Sequence, residues 1–226
     1  MRRTQASVAS LVLSPSGRAA VRLAMPASAL PAPGQVLLAC RPDGADPFRH
    51  TLLPVHLDAQ GLTALQPAGP AWQPGDHLDL LGPIGRGFAP SASLRRWLLA
   101  ALGPAPDVLL PLLDVGIQRG VSLAMWADSP LPPLPPQVEV LSDWRGALDW
   151  ADYVGLALTP GWFEADGAER GPILEAARRA QQAEALTILP MPCGTGICGA
   201  CATGRGRSLL HPCVDGPVIA LADLLR

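Results

Sequence analysis

Over the first 90 residues, short apolar-rich runs alternate with turn chemistry at nearly even spacing. The runs fall at residues 7–13, 19–24, 35–40, 51–57 and 77–81. Between them stand Ser14-Pro15-Ser16-Gly17, Pro31-Ala32-Pro33-Gly34, Arg41-Pro42-Asp43-Gly44 and Gln73-Pro74-Gly75-Asp76. Pro presets φ and Gly supplies positive φ, so each of these is a turn. Short strands joined this way predict a small antiparallel β barrel over residues 1–90. Past residue 95 the rhythm lengthens. Strands are predicted at 96–102, 121–127, 138–142, 152–158 and 186–189. Helices are predicted at 107–118 and at 171–182, the latter with Pro172 near its start and a charged face. Strands alternating with helices predict a parallel-sheet α/β domain over 91–190. The Pro-rich stretch 129–136 is read as a stiff loop, with a polyproline ligand as the alternative. Residues 191–226 form a third unit, rich in cysteine.

Composition narrows the class. The chain has 226 residues, 49% hydrophobic and 16% charged, which suits a globular protein with a sizeable core. A net charge of −2 gives no basic footprint for nucleic acid. All 17 basic residues are Arg. The longest apolar run, 97–113, is interrupted by Gly103, Pro104, Pro106, Asp107 and Pro111, so no membrane span is expected. The basic start, Met1-Arg2-Arg3, lacks the apolar stretch of a signal peptide, and a soluble, cytoplasmic protein is expected.

Four of the five cysteines carry the chemistry: Cys193-x4-Cys198-x2-Cys201-x11-Cys213. Three closely spaced cysteines and a distant fourth follow the plant-type [2Fe–2S] spacing. Gly194, Gly196 and Gly199 lie between the first three. Such a loop must bring its N–H groups close to the sulfurs, and glycine allows this. Two other readings use the same residues. A structural zinc site takes four thiolates, usually as two short knuckles, but only Cys198 and Cys201 are spaced so. Two disulfides are the third reading, although a chain of this length does not need them. His211 is read as a rim residue, and Cys40, in an apolar run, as a small buried hydrophobe. Arg205 and Arg207 fall between the third and fourth cysteines. They are read as raising a cluster potential or docking a partner, with a solvated loop as the alternative. No acid/base pair, nucleophile or substrate pocket stands out, so no catalytic residue is assigned.

Barrel, α/β domain and C-terminal cysteine loop, in that order, resemble the electron-transfer subunit of bacterial type B dihydroorotate dehydrogenase, within the ferredoxin–NADP reductase superfamily. The resemblance rests most on Cys193-Gly-Thr-Gly-Ile-Cys-Gly-Ala-Cys201 and Cys213-Val-Asp-Gly-Pro217. Pro33-Gly-Gln35, Pro74-Gly-Asp76 and Gly82-Pro-Ile-Gly-Arg-Gly-Phe88 add to it. It implies an FAD-binding barrel, an α/β domain that receives NADH, and a cluster that hands electrons to a separate FMN-containing catalytic subunit, in pyrimidine biosynthesis.

The chain departs from this pattern at both nucleotide sites. An Arg-Pro-x-Ser flavin strand is replaced by Arg49-His-Thr-Leu-Leu53. A Gly-x-Gly-Thr phosphate loop is replaced by Gln66-Pro-Ala-Gly-Pro-Ala-Trp72, in which proline removes N–H donors. On the nicotinamide side, a glycine turn is replaced by Leu102-Gly-Pro-Ala-Pro-Asp107, with an acid where a phosphate would sit. A Cys-Gly-Pro is replaced by Leu158-Thr-Pro-Gly-Trp162. The expectation is an electron-transfer subunit with a [2Fe–2S] cluster on Cys193, Cys198, Cys201 and Cys213, any FAD being weak or substoichiometric. Its partner is expected to be a catalytic flavoprotein subunit resembling dihydroorotate dehydrogenase, with no nucleic acid and no membrane. A complete FAD-dependent NADH oxidoreductase subunit, and a non-redox assembly subunit with structural zinc, are the alternatives.

Overall fold

The computed structural model describes residues 2–44, 46, 48–69, 71–103, 105–159, 171–205 and 208–224, with residues 204, 205 and 208 described by their backbone alone. Six strands close the expected barrel: β1 (Arg2–Leu13), β2 (Ala19–Ala24), β3 (Val36–Cys40), β4 (His50–Asp58), β5 (Gly61–Leu65) and β6 (His77–Ile84). Their order is β1-β2-β5-β4-β3-β6, antiparallel at every seam, and closure leaves no free edge. Val8, Leu23, Leu37, Leu52, Leu62 and Leu78 fill the interior with Trp72. The Trp72 indole N–H donates to the Asp46 carboxylate at 3.0 Å, so the largest core side chain buries no orphaned donor. Strand β5 was not anticipated. It is short, opens on Gly61 and follows β4 after two residues. Pro54 lies within β4, where the pairing with β5 shifts register, as a residue without a ladder donor requires.

The second domain is a six-stranded sheet of β7 (Arg96–Leu102), β8 (Ser122–Ala127), β9 (Val138–Val140), β10 (Tyr153–Leu158), β11 (Gln182–Thr187) and β14 (Val218–Ala220). Its order is β14-β11-β10-β7-β8-β9. The first five run parallel and β14 is antiparallel, so the sheet is mixed rather than wholly parallel. Every residue of β10 is buried, because helices or the barrel cover both faces. On one face α1 (Leu110–Arg119) packs Leu112 and Leu113 over Trp97, Leu99 and Tyr153, beside Val55 and Leu65 of the barrel. On the other, α2 (Trp144–Trp150), α3 (Gly171–Arg179) and α5 (Leu221–Leu224) cover Leu98, Val154 and Leu156. The helix α2, also not anticipated, is capped by Asp143, which accepts from the N–H groups of Arg145 (3.2 Å) and Gly146 (2.9 Å).

The strand expected at 186–189 lies instead at 182–187, and its first residues are polar for a reason. Glu184 accepts from the Ala89 N–H (3.0 Å) and the Tyr153 hydroxyl (2.8 Å). Gln182 accepts from the Ser91 N–H at 3.0 Å and donates to the Ala89 carbonyl at 2.9 Å. The strand therefore anchors the connector between barrel and sheet.

Between β11 and β14 the chain makes one excursion over the barrel. It carries the four cysteines, the hairpin of β12 (Thr203–Arg205) and β13 (Ser208–Leu210), and α4 (Pro212–Asp215). The Met191 N–H donates to the Thr51 hydroxyl of β4 at 2.8 Å on the way out. On the way back, Gly216 and Pro217 run against the barrel's exit. The Arg86 N–H donates to the Gly216 carbonyl, and the Val218 N–H donates to the Arg86 carbonyl at 3.2 Å. Gly85 has φ +70°, and an added Cβ would collide with the Gly216 carbonyl oxygen. Backbone lies on both sides of that contact, so nothing can rotate away. Gly85→Ala is therefore expected to cost at least about 2 kcal/mol of stability in urea unfolding. A change below about 0.5 kcal/mol would show that this approach constrains nothing.

Candidate metal centre

The excursion brings the four cysteines together as two pairs. Cys201 and Cys213 are buried, at 1% and 3% exposure, with their sulfurs 3.4 Å apart. Cys193 is half-buried and Cys198 exposed, and the Cys193 sulfur accepts from the backbone N–H of Cys198. The buried pair stands on Val36 and Leu38 of β3, Ile84 of β6, and Met191. These barrel residues point outward; their neighbours Leu37 and Ala39 point in, so β3 is buried on both faces. Gly194, Gly196 and Gly199 all take positive φ, at 66°, 78° and 67°, as the sequence led one to expect. At Gly194 space matters too, because a Cβ there would lie 2.9 Å from Leu38 Cδ1.

Backbone donors face the sulfurs. The Gly196 N–H donates to Cys213 at 3.2 Å and the Thr195 N–H to Cys193 at 3.4 Å. The Thr195 N–H, and after it that of Cys198, hold the Cys193 thiol down at about 6. Burial, and then the neighbouring Cys201 thiol, push Cys213 up to about 12. Cys193 thus offers thiolate readily, whereas a metal at Cys213 must displace a proton. Two pairs of sulfurs suit the two irons of an iron–sulfur cluster. Among the described residues no three Cys, His, Asp or Glu side chains stand close enough to hold a single ion. The buried hydroxyl of Thr203, two residues after Cys201, has no hydrogen-bond partner among the described residues. His211 is half-buried at the rim, with its N–H donating to Asp215 at 2.7 Å. Cys40 lies apart, at the end of β3. Arg207 and the side chain of Arg205 lie outside the described residues, as does the segment 160–162.

A cleft of about 790 Å³ opens beside the exposed pair. Phe48, Leu53, Pro67, Ile188, Pro190 and Pro192 form its apolar walls, and Cys193 and Cys198 one end. The volume suits a small-molecule ligand. No sequence signal pointed to it, because its walls come from four separate segments. Arg49, His50 and Thr51 also line it, but among the described residues two donors expected from the flavin motifs are absent. Arg49 is turned to the Asp79 carbonyl, at 3.0 Å. Leu52, where a hydroxyl was expected, is fully buried inside the barrel. Pro67 has no N–H. The cleft thus keeps an apolar slot with Arg49, His50 and Thr51 at its wall, and lacks two of the donors expected for a flavin pyrophosphate.

The acid expected to repel a nicotinamide phosphate does something else. Asp107 is 0% exposed and accepts from the Ser14 hydroxyl (2.7 Å), the Ser16 N–H (3.0 Å) and the Ser16 hydroxyl. It clasps the β1–β2 turn of the barrel to the start of the first helix of the α/β domain. A phosphate could enter there only after this clasp opened. Asp107→Ala would leave three donors without an acceptor. It is expected to cost about 2–3 kcal/mol in urea unfolding, without conferring reduction by NADH in a stopped-flow experiment. Unchanged stability would remove the clasp from this account.

Residues 190–225 match the family model of the iron-sulfur cluster binding domain of dihydroorotate dehydrogenase B. No curated protein matches the chain. Among solved structures, it is similar to an NADH-dependent reduced ferredoxin-NADP oxidoreductase studied for flavin-based electron bifurcation. The TM-score is 0.70 at 16% identity, covering 97% of this chain and 89% of that one. A mutant ferredoxin-NADP+ reductase of Plasmodium falciparum, in complex with 2'P-AMP, gives 0.60 at 6% identity, over 82% and 96%. An Amycolatopsis cytochrome P450 reductase gives 0.56 at 14% identity, over 79% and 66%. The C-terminal segment is thus similar to an iron–sulfur cluster binding domain, and the chain has the ferredoxin–NADP reductase type of fold. Among the described residues no helix is long and apolar enough to cross a membrane.

Proposed function

We propose that the chain is a one-electron carrier subunit whose [2Fe–2S] cluster is held by Cys193, Cys198, Cys201 and Cys213. It serves a partner catalytic flavoprotein, of which dihydroorotate dehydrogenase is the best-supported kind. The observation that carries this reading is the pairing of the sulfurs under backbone donors, inside a segment that matches an iron–sulfur domain. When bound, such a cluster supplies reversible one-electron transfer.

The chain's own residues divide the work. Cys201 and Cys213 fix the inner edge of the site against Leu38 and Ile84, where water is excluded. Cys193 and Cys198 hold the outer edge, next to Ile197, which is 88% exposed. The outer edge is the face at which a partner approaches closely enough for transfer. Asp107 is engaged by the β1–β2 turn and not free to meet a nicotinamide nucleotide, which supports a carrier whose donor and acceptor meet it by protein contact.

Protein prepared anaerobically is expected to hold two irons and two sulfides per chain, and to give a rhombic spin-½ signal on reduction. Cys198→Ser should destabilise or abolish that centre, and Cys40→Ser should leave it intact. Stoichiometric zinc without iron would overturn the reading in favour of a structural site.

A second reading, a subunit that carries its own flavin, is favoured by the cleft beside Cys193 and Cys198. The lost hydroxyl at Leu52 and the lost donor at Pro67 would each cost roughly 1–3 kcal/mol of affinity. Titration with FAD should therefore show no submicromolar site. Stoichiometric FAD that survives gel filtration would instead make the flavin-carrying oxidoreductase the correct description.

A further inference from the structure

Strands β8 and β9 are parallel neighbours, so the chain between them must return from one end of the sheet to the other. A helix is the usual crossover. Here the return is Asp128-Ser-Pro-Leu-Pro-Pro-Leu-Pro-Pro-Gln137, which contains neither helix nor strand. Proline holds φ near about −65°, and a residue before proline is driven to extended ψ. Leu131, Pro132, Leu134 and Pro135 all precede proline. The crossover is therefore a polyproline II span, rising about 3.1 Å per residue.

Its burial has the period of that helix. Pro130, Pro133 and Pro136 are exposed, Leu131 and Leu134 are half-buried, and Pro132 is buried. Three residues per turn put the exposed prolines on one ridge. Leu131 and Leu134 pack on the core that α1 shares with the sheet. The ends are fixed as well. The Ser129 hydroxyl donates to the Gly103 carbonyl at 3.0 Å, and Asp128 accepts from the Gly103 N–H at 2.9 Å. The Val138 N–H donates to the Pro135 carbonyl at 3.0 Å. A stiff crossover needs its inner residues. An outer row of proline rings is apolar surface that it does not need.

Three features of the outer face describe what would cover it. No backbone donor among the described residues reaches the carbonyls of residues 130–134, so they remain acceptors. Two Pro-Leu dipeptides, at 130–131 and 133–134, stand one turn apart, a repeat of about 9 Å. The flanks are acidic: Asp128 and Glu139 are exposed, and no basic residue occurs from Gly120 to Trp144.

We propose that this ridge docks a second protein through a groove lined by Trp and Tyr side chains and rimmed by basic ones. The aromatic rings receive the two Pro-Leu dipeptides, their indole or phenol groups donate to the open carbonyls, and the rim meets Asp128 and Glu139. The span is already rigid, so binding orders little chain. The ridge leads into β9, at one edge of the sheet, whereas the cysteine segment leaves between β11 and β14 at the other. One chain can hold this partner and still present its cysteines, and the proposal stands apart from the cluster reading.

The test places the photo-crosslinker p-benzoylphenylalanine at the exposed position Gln137 of the full chain, irradiates native cells and their lysate, and maps the adduct by mass spectrometry. The expected adduct falls on a surface that carries paired Trp or Tyr beside Lys or Arg. The synthetic peptide Ser-Pro-Leu-Pro-Pro-Leu-Pro-Pro, added to the lysate, competes it away. Pro130→Ala with Pro133→Ala lowers the yield about tenfold while the circular dichroism spectrum is unchanged. Glu139→Arg, which leaves the ridge intact, lowers it at low salt and much less at high salt. No adduct, or one that survives the double substitution, overturns the proposal. An adduct to a second copy of this chain, or to a surface without aromatic residues, overturns it too. Iron loading is expected to be equal in every variant, so failure here leaves the cluster reading untouched.

Discussion

The return of the chain from Cys213 to the sheet is the constraint on which the metal centre depends. Three consecutive residues, Gly216, Pro217 and Val218, bond to both domains at once. Gly216 and Val218 pair with Arg86 at the barrel exit, while the Pro217 carbonyl accepts from the Thr187 N–H (2.9 Å) and the Thr187 hydroxyl (3.0 Å). Because β11 and β14 are hydrogen-bonded neighbours, the cysteine segment is a closed loop with both ends fixed in one sheet. Closing a long loop costs little more than closing a short one. What matters is where the ends are pinned. They are pinned so that the loop must lie on Leu38 and Ile84 of the barrel, and this approach tolerates no side chain at Gly85 or Gly194. Barrel, sheet and cysteine loop thus share one junction.

A second contact between barrel and sheet lies at the start of the first helix of the α/β domain, apart from the cleft beside Cys193 and Cys198. Val108, Leu109, Leu112 and Leu113 pack against Val55 and Leu65 of the barrel, and Asp107 adds three hydrogen bonds to the β1–β2 turn. A buried carboxylate is tolerated only when its acceptors are occupied, and Ser14 and Ser16 occupy them.

Much of this was legible in the sequence, for identifiable reasons. Five of the six barrel strands and the order of the α/β units followed from turn residues and apolar runs, which are local properties. The four cysteines and their glycines followed from spacing. Strand β11 was misplaced because Gln182 and Glu184 look like surface residues, and only the connector at Ala89 and Ser91 shows why they are strand residues. Helix α2 was missed although its cap, Asp143, stood in the sequence. Asp107 was read as a repelling charge because nothing local tells that a turn over ninety positions earlier will enclose it. The cleft and the orphan at Thr203 are products of tertiary assembly, and no local pattern announces either.

The two cysteine pairs differ in a way that bears on the direction of electron flow. Near Cys201 and Cys213 an added negative charge is disfavoured by burial against Val36, Leu38 and Ile84, since a low dielectric penalises charge. Near Cys193 and Cys198, water and the N–H groups of Thr195 and Cys198 favour it. With the proposed cluster bound, an added electron would be favoured at the outer edge, beside the cleft, and disfavoured at the inner edge unless donors offset the burial. The Gly196 N–H already points at Cys213 at 3.2 Å, which shows one such offset built into the loop. For the proposed carrier, the imbalance that remains would place the electron at the exposed edge of the site.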